Sequence, residues 1–293
     1  MPGLGEVLSI AAAATWALGV VLYRKLGADL PPLLLNLLKN AIVLGLMVPT
    51  VLAMHGLGWP ALTPGEVGIV LLSGVLGIAL ADTLYFRALN DLGAGPMGII
   101  GNLFSPFVIA LAFLFLGERL SLPQLLGFVL VMGGVGVVHG VVRADPGIPA
   151  ARRRLGVLEG MAAVFLNAVG VVMVKTLLED GPFFWISALR LVGGLSAMLL
   201  IWPWLHAHFR LPPGRAIPWP TLLLAAFVGQ YVSMLCWLGG YRYIDASVAS
   251  VLNETSAIFI LLFAALLLGE RFTRRKLLGV VLTFSGVAVI VMI

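Results

Sequence analysis

The sequence predicts an all-α membrane protein, with ten transmembrane helices arranged as two inverted five-helix repeats. The first reason is composition: 61% of the 293 residues are hydrophobic and 11% are charged, whereas soluble domains carry about 25% charged residues. A domain this apolar cannot cover its surface with polar side chains, so its natural solvent is lipid. The second reason is a set of ten apolar stretches, and the third is a charged tetrapeptide that occurs twice.

Ten stretches are long enough and apolar enough to cross a bilayer as helices. A helix rises about 1.5 Å per residue, so about 20 apolar residues cross the hydrocarbon. The stretches are continuously apolar rather than alternating, which favours helices over the strands of a barrel. They lie at 5–23, 33–54, 66–88, 95–116, 122–141, 156–177, 183–204, 220–242, 246–268 and 275–293.

The tetrapeptide LGER occurs at 116–119 and again at 268–271, which indicates an internal duplication. The same offset of 152 residues aligns glycines of the two halves, and an offset of 151 aligns Lys39 with Arg190. Because each half holds five helices, an odd number, the second copy begins on the opposite side of the membrane. The repeats are therefore inverted, as in many secondary transporters. The carboxylate of LGER is expected to cap a neighbouring helix, with a gating role as the alternative.

The longest polar stretch divides the chain between the two repeats. It covers residues 142–155 and predicts a cytoplasmic linker between a first repeat at 1–141 and a second at 156–293. Of the 18 Lys and Arg residues, 13 fall on the side of this linker, 3 on the opposite side and 2 inside helices. The positive-inside rule places the 13 in the cytoplasm. Both termini are therefore predicted to face the periplasm or the exterior of a bacterial-type inner membrane.

Several other classes of protein are disfavoured. The Lys and Arg residues do not cluster with aromatic residues as they do in nucleic-acid-binding proteins. The chain has no HExxH motif, Walker loop or paired metal-ligand cluster, so no metal, no cofactor and no enzymatic activity are predicted. An intramembrane enzyme remains a distant alternative.

Two long segments in equivalent positions carry a resemblance to a known family. They are FLFLGERLSLPQLLGFVLVMGGVGVV (113–138) and ALLLGERFTRRKLLGVVLTFSGVAVI (265–290), and DTLYFRALNDLGAG (82–95) and the cations Lys39 and Arg190 add to them. With these residues the chain resembles the EamA-type ten-helix branch of the drug/metabolite transporter superfamily. The resemblance implies a secondary transporter. It leaves the substrate open, because the superfamily moves amino acids, other metabolites, nucleotide sugars and drugs.

Glu254 is the membrane-embedded acid expected to contact the substrate or a coupling proton. It lies about eight residues into the ninth stretch, and its repeat mate Asn102 lies about eight residues into the fourth. The inversion places the two at similar depths, and a carboxylate facing lipid would cost about 2.5–3.5 kcal/mol. Both are therefore expected to border one cavity, with Asn253 as a further polar contact. The alternative is that Glu254 only hydrogen-bonds a neighbouring helix.

Three charged residues inside helices are expected at a gate or at the rim of the cavity. Asp82 and Lys39 are predicted to form a pair, which is either a structural ion pair or a gate. Lys39 and its mate Arg190 lie about two turns inside their helices. Their repeated placement favours a shared role, such as attracting a carboxylate, over extension of their side chains to the interface.

Aromatic and amide residues complete the candidate substrate site. Trp16 and its mate Asn167 fall in the middle of the first helix of each repeat, where small multidrug members of the superfamily carry a glutamate. The resemblance therefore does not carry over the proton chemistry of those members. Tyr85, Tyr231 and Trp237 are expected to line the cavity, with packing or a membrane-interface position as the alternative.

These observations predict a carrier that moves a small polar or amphipathic organic metabolite by alternating access between the repeats. Amino acids are one candidate substrate, and export is the expected direction. A lipid flippase of the same fold is the alternative function. The expected partners are the small-molecule substrate, the lipid bilayer and a coupling proton, and the expected assembly is a monomer or weak homodimer that binds no nucleic acid.

The charge asymmetry of the loops makes the topology testable. A fluorescent reporter that matures only in the cytoplasm should stay dark when it is fused after residue 293. The same reporter inserted within the linker at 142–155 should be bright and serves as the matched control. Bright, correctly inserted C-terminal fusions would contradict the predicted orientation.

Overall fold

The structure is a computed structural model that describes residues 3–27, 29–92, 97, 100–139, 149–205, 210–211, 214–268 and 274–292. Within these residues, helical segments correspond to all ten predicted stretches, and the all-α membrane fold is confirmed. Six are long and apolar enough to cross a membrane: Leu4–Leu26 (α1), Pro32–His55 (α2), Pro64–Leu92 (α3), Ala150–Val172 (α6), Phe183–Leu205 (α7) and Trp219–Tyr243 (α8). The others are shorter or interrupted: Phe104–Phe115 (α4), Leu122–His139 (α5), Ala246–Asn253 with Ser256–Leu268 (α9a and α9b) and Arg274–Val291 (α10).

Helices α5 and α10 pack so closely that glycines of each helix face the backbone of the other. A Cβ added to Gly127 would lie 2.9 Å from the carbonyl oxygen of Gly286, and one added to Gly286 would lie 2.6 Å from that of Gly127. A Cβ added to Gly134 would lie 2.6 Å from the carbonyl oxygen of Gly279. Gly279 and Gly286 are the repeat mates of Gly127 and Gly134, so each contact is exchanged between mates, as a two-fold axis requires. Because the helices are antiparallel, that axis is perpendicular to them and the repeats are inverted.

A second set of two-fold-related contacts joins the first helix of each repeat to the third helix of the other. Gly19 of α1 meets Gly229 of α8, where a Cβ added to Gly19 would lie 2.5 Å from the Cα of Gly229. Gly170 of α6 meets Gly77 of α3, with 3.4 Å between an added Cβ and the Cα of Gly77. Small residues allow such close approach of backbones in lipid. These crossings hold the two repeats together at the centre of the bundle.

Two kinds of helix interruption recur at an offset of 152 residues. Helices α3 and α8 each contain a π-helical segment, at Val75–Leu80 (π1) and Phe227–Val232 (π2). The fourth and ninth helical segments each break for two residues, at 102–103 and at 254–255. π-Helical turns are frequent at functional sites, and broken membrane helices form the binding sites of many transporters, because both release backbone groups from the regular hydrogen-bond ladder.

One interruption is found in only one repeat. Helix α6 ends at Val172 and is followed after residues 173–174 by a short helix, Lys175–Asp180, whereas α1 is continuous over Leu4–Leu26. Helix α6 begins at Ala150, so residues 150–155 of the predicted linker form its first turns, and residues 142–148 lie outside the described part. The repeats therefore share a topology and differ in detail.

Glu118 of the LGER tetrapeptide caps a helix of the opposite repeat. Its two carboxylate oxygens accept hydrogen bonds from the N–H groups of Ala246 and Ser247, each at 2.9 Å, and from the Ser247 hydroxyl at 2.8 Å. These N–H groups open α9a and have no partner within the helix. Gly117 adopts a φ of 72°, which lets the chain turn sharply after α4. The capping interpretation is thus confirmed for Glu118, and its mate Glu270 lies outside the described residues.

The Gly19–Gly229 crossing predicts a steric effect that can be separated from helix propensity. Gly19→Ala should lower the melting temperature, because the added Cβ meets a backbone atom that cannot rotate away. Gly45→Ala, in α2, has no atom within 4 Å of the added Cβ and is the matched control. That control should be neutral or stabilising by up to about 1 kcal/mol, since alanine favours helix over glycine. Equal effects of the two substitutions on thermal unfolding in detergent would contradict the close crossing.

The cap made by Glu118 predicts a stability difference between two capping acids. Glu118→Ala should lower the free energy of unfolding by about 1–2 kcal/mol, because three donors of the opposite repeat lose their acceptor. Glu66→Ala is the control: Glu66 accepts from the Thr63 N–H at 2.7 Å within one repeat, and the Thr63 hydroxyl still accepts from the Glu66 N–H afterwards. Thermal unfolding of both variants tests this, and a larger loss for Glu66→Ala would be the contrary result.

Candidate functional site

A cavity of about 250 Å³ lies at the centre of the bundle and is lined by both repeats. The first repeat contributes residues of α1, α3 and α4, and the second contributes residues of α6 to α9. All of the predicted substrate-contacting residues except Tyr231 line it: Trp16, Tyr85, Asn102, Asn167, Trp237, Asn253 and Glu254. Of the predicted gate or rim residues, Asp82 and Arg190 line the cavity and Lys39 lies behind it.

The two repeated helix breaks both open onto this cavity. Asn102 is the first residue of one break and Glu254 is the first residue of the other. Asn253, the last residue of α9a, also lines the cavity, and its side-chain amide donates to the Ala249 carbonyl at 2.8 Å. The side-chain oxygen of Asn253 and the side chain of Asn102 can therefore serve as polar contacts for a bound solute.

Glu254 is anchored to the first repeat while it faces the cavity. It is only 7% exposed, and its Oε1 accepts from the Ser105 hydroxyl at 2.8 Å and from the Ser105 N–H at 3.3 Å. Ser105 is the second residue of α4, so this carboxylate caps the half-helix that begins after the break. The helix–helix contact considered for Glu254 exists, and it positions the carboxylate at the cavity wall. The repeat mate of Ser105 is Ala257, which has no hydroxyl, so comparison of the two repeats does not predict this contact.

Lys39 is fully buried and pairs with Asp82 as predicted. Its Nζ donates to Asp82 Oδ2 at 2.7 Å and to Gln230 Oε1 at 3.2 Å, and its side chain has 0% exposure. The rings of Tyr23 and Phe86 lie 5.6 Å and 5.2 Å from the ammonium, at cation–π distance. Extension of Lys39 to the interface is thereby excluded. Since Gln230 belongs to π2, the lysine connects the two repeats.

Arg190 occupies the position equivalent to Lys39 and has different partners. The repeat mate of Asp82 is Met234, and Arg190 forms none of the ion pairs found among the described residues. Its Nη1 donates to the Gly170 carbonyl at 2.8 Å instead, and its Cζ lies 5.8 Å from the centre of the Trp237 ring. Arg190 is 2% exposed, and it lines the cavity directly.

The break after α6 explains why the Gly170 carbonyl is available. A regular helix would bond this carbonyl to the N–H of Val174, but that N–H bonds to the Val171 carbonyl at 3.2 Å. The Gly170 carbonyl accepts from Arg190 and from the Ser73 hydroxyl. The break after α6, which has no equivalent in α1, therefore frees the carbonyl that accepts the hydrogen bond of Arg190.

Aromatic pairs form two walls of the cavity. Trp16 and Tyr85 pack with ring centres 6.4 Å apart, and Trp237 packs on Phe104 at 6.3 Å. Tyr231 is not among the lining residues, and its hydroxyl forms a hydrogen bond with the Thr50 hydroxyl at 2.5 Å. It is one residue beyond Gln230, which does face the cavity. Phe104, Gln230 and Ser233 line the cavity without having been predicted.

One amide in the cavity wall has an unused acceptor. Asn167 Oδ1 is buried and has no hydrogen-bond partner in the described part of the structure. A buried acceptor without a donor costs free energy, about 1–3 kcal/mol. A bound solute with an N–H or O–H group would relieve that cost.

At the end of the bundle where α9a begins, charged residues of both repeats meet. Glu118 caps α9a, and Lys175 and Glu179 form an ion pair nearby. Burial raises the pKa of the Asp245 carboxyl, and the negative charge of Glu118 raises it further. This end is therefore held by contacts between the repeats. Among the described residues, no cluster of His, Cys, Asp and Glu is arranged to hold a metal ion.

The model of the EamA-like transporter family matches residues 3–139 and 154–292. The uncharacterized transporter YetK of Bacillus subtilis is 22% identical over 98% of this chain and 87% of its own. An uncharacterized transporter of Methanothermobacter thermautotrophicus is 26% identical over 76% of this chain, which spans 64% of that relative. Solute carrier family 35 member F5 of Macaca fascicularis is 28% identical over 55% of this chain and 38% of its own.

The fold has a close counterpart among solved structures. One crystal structure superposes with a TM-score of 0.80 over 99% of this chain and 96% of the other, at 16% identity. At that identity the likeness establishes the fold alone. The family match, however, covers both repeats almost completely. The chain therefore belongs to the EamA-like transporter family and is a multi-pass membrane transporter.

Proposed function

We propose that this transporter carries a small polar or amphipathic organic metabolite by alternating access between its repeats, 1–141 and 156–293. The observation that carries the proposal is the central cavity, which both repeats line and onto which two equivalent helix breaks open. Inverted-repeat carriers bind their substrates at such a place, where discontinuous helices present polar groups near the bilayer midplane.

The lining of the cavity supports an amphipathic substrate. Two aromatic pairs offer apolar surface, and the side chains of Asn102, Asn167 and Asn253 offer amide contacts. A solute with one apolar part and several hydrogen-bonding groups matches this combination. Amino acids have this character and are the first candidates. Export is the proposed direction, across a bacterial-type inner membrane with both termini outside.

Alternating access requires contacts that can be broken and remade. Two of the described contacts join the repeats at different places in the bundle. Glu118 contacts the first turn of α9a, and Lys39 contacts Gln230 of π2. The π segments and helix breaks supply the places where backbone angles can change. Since one chain forms the whole cavity, a monomer suffices for transport, and a weak homodimer would add no residue to the site.

Glu254 is the proposed contact for a coupling proton or for a cationic group of the substrate. It is the cavity-lining carboxylate whose described partners, the donors of Ser105, are uncharged. Asp82, by contrast, is neutralised by Lys39. Because Glu254 caps the first turn of α4, a change in its charge or in its partner would change the stability of that turn.

Glu254→Gln should insert and fold normally but lose most counterflow of the substrate, or lose its pH dependence across about pH 5–8, because the shape is kept and the charge removed. Counterflow in proteoliposomes, screened first against amino acids, is the measurement. Glu159→Gln is the matched control, since Glu159 is a buried acid that pairs with Arg87 at 2.8 Å outside the cavity. Transport by Glu254→Gln equal to the parent at every pH would reduce Glu254 to a helix–helix contact.

A further inference from the structure

Two acids and two bases surround the cavity, Asp82, Glu254, Lys39 and Arg190, but in the described part of the chain they form one ion pair rather than two. Asp82 is paired with Lys39, and Glu254 is held by the two donors of Ser105. Arg190 takes part in none of the ion pairs found among the described residues. The cavity therefore contains a buried guanidinium that has no ion-pair partner among the described residues.

The groups that do contact Arg190 leave most of its donors free. A guanidinium has five N–H donors arranged to hold a carboxylate with two parallel bonds. In the described structure one hydrogen bond is made, from Nη1 to the Gly170 carbonyl at 2.8 Å. The Trp237 ring, at 5.8 Å, supports the charge without accepting a hydrogen bond. An anion that enters the cavity would supply the charge partner that this buried cation lacks among the described residues.

Comparison of the two repeats shows that the missing ion-pair partner is specific to Arg190. Its mate Lys39 has an acid, lies behind the cavity wall and connects two helices. Arg190 has Met234 where that acid would stand, and it lines the cavity itself. Gly77 of π1 keeps the space beside it open, since a Cβ there would lie 3.2 Å from Arg190 Nη2.

We infer that Arg190 is the receptor for a carboxylate group of the transported substrate. The inference rests on the proposed function and deepens it, because it adds a required chemical group to the amphipathic solute. The carboxylate binds through the guanidinium donors that the Gly170 carbonyl leaves free. The apolar part of the solute then lies against the aromatic residues, and its donors are placed to reach Asn167 Oδ1, which has no described partner.

Four probes of one shape test this with purified protein: leucine, leucinamide, 4-methylpentanoate and 4-methylpentanamide, which carry the carboxylate and the ammonium in every combination. Thermal stability is measured against probe concentration. The two carboxylates should raise the melting temperature and the two amides should not. Equal shifts for acids and amides, or no shift for either carboxylate at about 50 mM, would overturn the inference.

Variants assign the effect to one residue. Arg190→Gln should abolish the preference for carboxylates, and Arg190→Lys should keep it with an affinity about tenfold weaker, because lysine cannot form the two parallel bonds. If Arg190→Gln does not fold, Arg190→Lys alone still decides, since an unchanged affinity would contradict bidentate binding. Arg87→Gln is the matched control, because Arg87 pairs with Glu159 outside the cavity and its loss should leave the preference intact.

Counterflow separates this inference from the function on which it rests. Carboxylates that bind through Arg190 but show no counterflow would contradict the proposed transport and leave the receptor assignment standing. Saturable counterflow that is equally fast for acids and amides would support transport and remove the assignment.

Discussion

Every polar group that lipid surrounds must find its partner within the protein, and this constraint governs the whole structure. A broken membrane helix releases backbone groups, so a break is stable only where another element supplies donors or acceptors. Here each repeat supplies a carboxylate to the other. Glu254 of the second repeat caps α4 of the first, and Glu118 of the first caps α9a of the second. The cap by Glu254 stabilises the start of α4 after the break at 102–103, whereas Glu118 caps α9a at its first turn after α8.

The close helix crossings are the same in both repeats, whereas the partners of the buried charged residues differ between them. The glycine contacts of α5 with α10, and of α1 and α6 with the third helices, follow one two-fold axis. These glycine contacts are equivalent in the two repeats. The buried cations depart from this equivalence, because Lys39 is satisfied by Asp82 while Arg190 depends on a carbonyl that a helix break releases. The helix breaks that open onto the cavity are thus common to both repeats, and the partners of the buried cations differ between them.

Composition and periodicity were sufficient to predict the membrane fold, the ten helices and the duplication, because burial in lipid imposes length and hydrophobicity on every helix. The depth of Glu254 and Asn102 followed from the duplication, and both line the cavity. Ser105 and Gln230 could not be found in this way, since hydroxyls and amides inside helices are common and their partners come from the other repeat. Tyr231 was expected in the lining because it is aromatic, but the lining residues of α8 follow helical spacing, at Gln230, Ser233, Met234 and Trp237, and Tyr231 is about 100° from Gln230 around the helix.

The substitution of Met234 for an acid has a thermodynamic consequence for the cycle as a whole. Two identical inverted repeats would give inward-open and outward-open forms of equal free energy, since each form would be the other rotated by half a turn. With unlike ion pairing in the two halves that degeneracy is lifted, and each difference of about 1.4 kcal/mol favours one resting form tenfold. The empty carrier is then open mainly to one face of the membrane. The solute concentration that gives half-saturation therefore differs between the two faces. The equilibrium distribution of the solute across the membrane is unchanged.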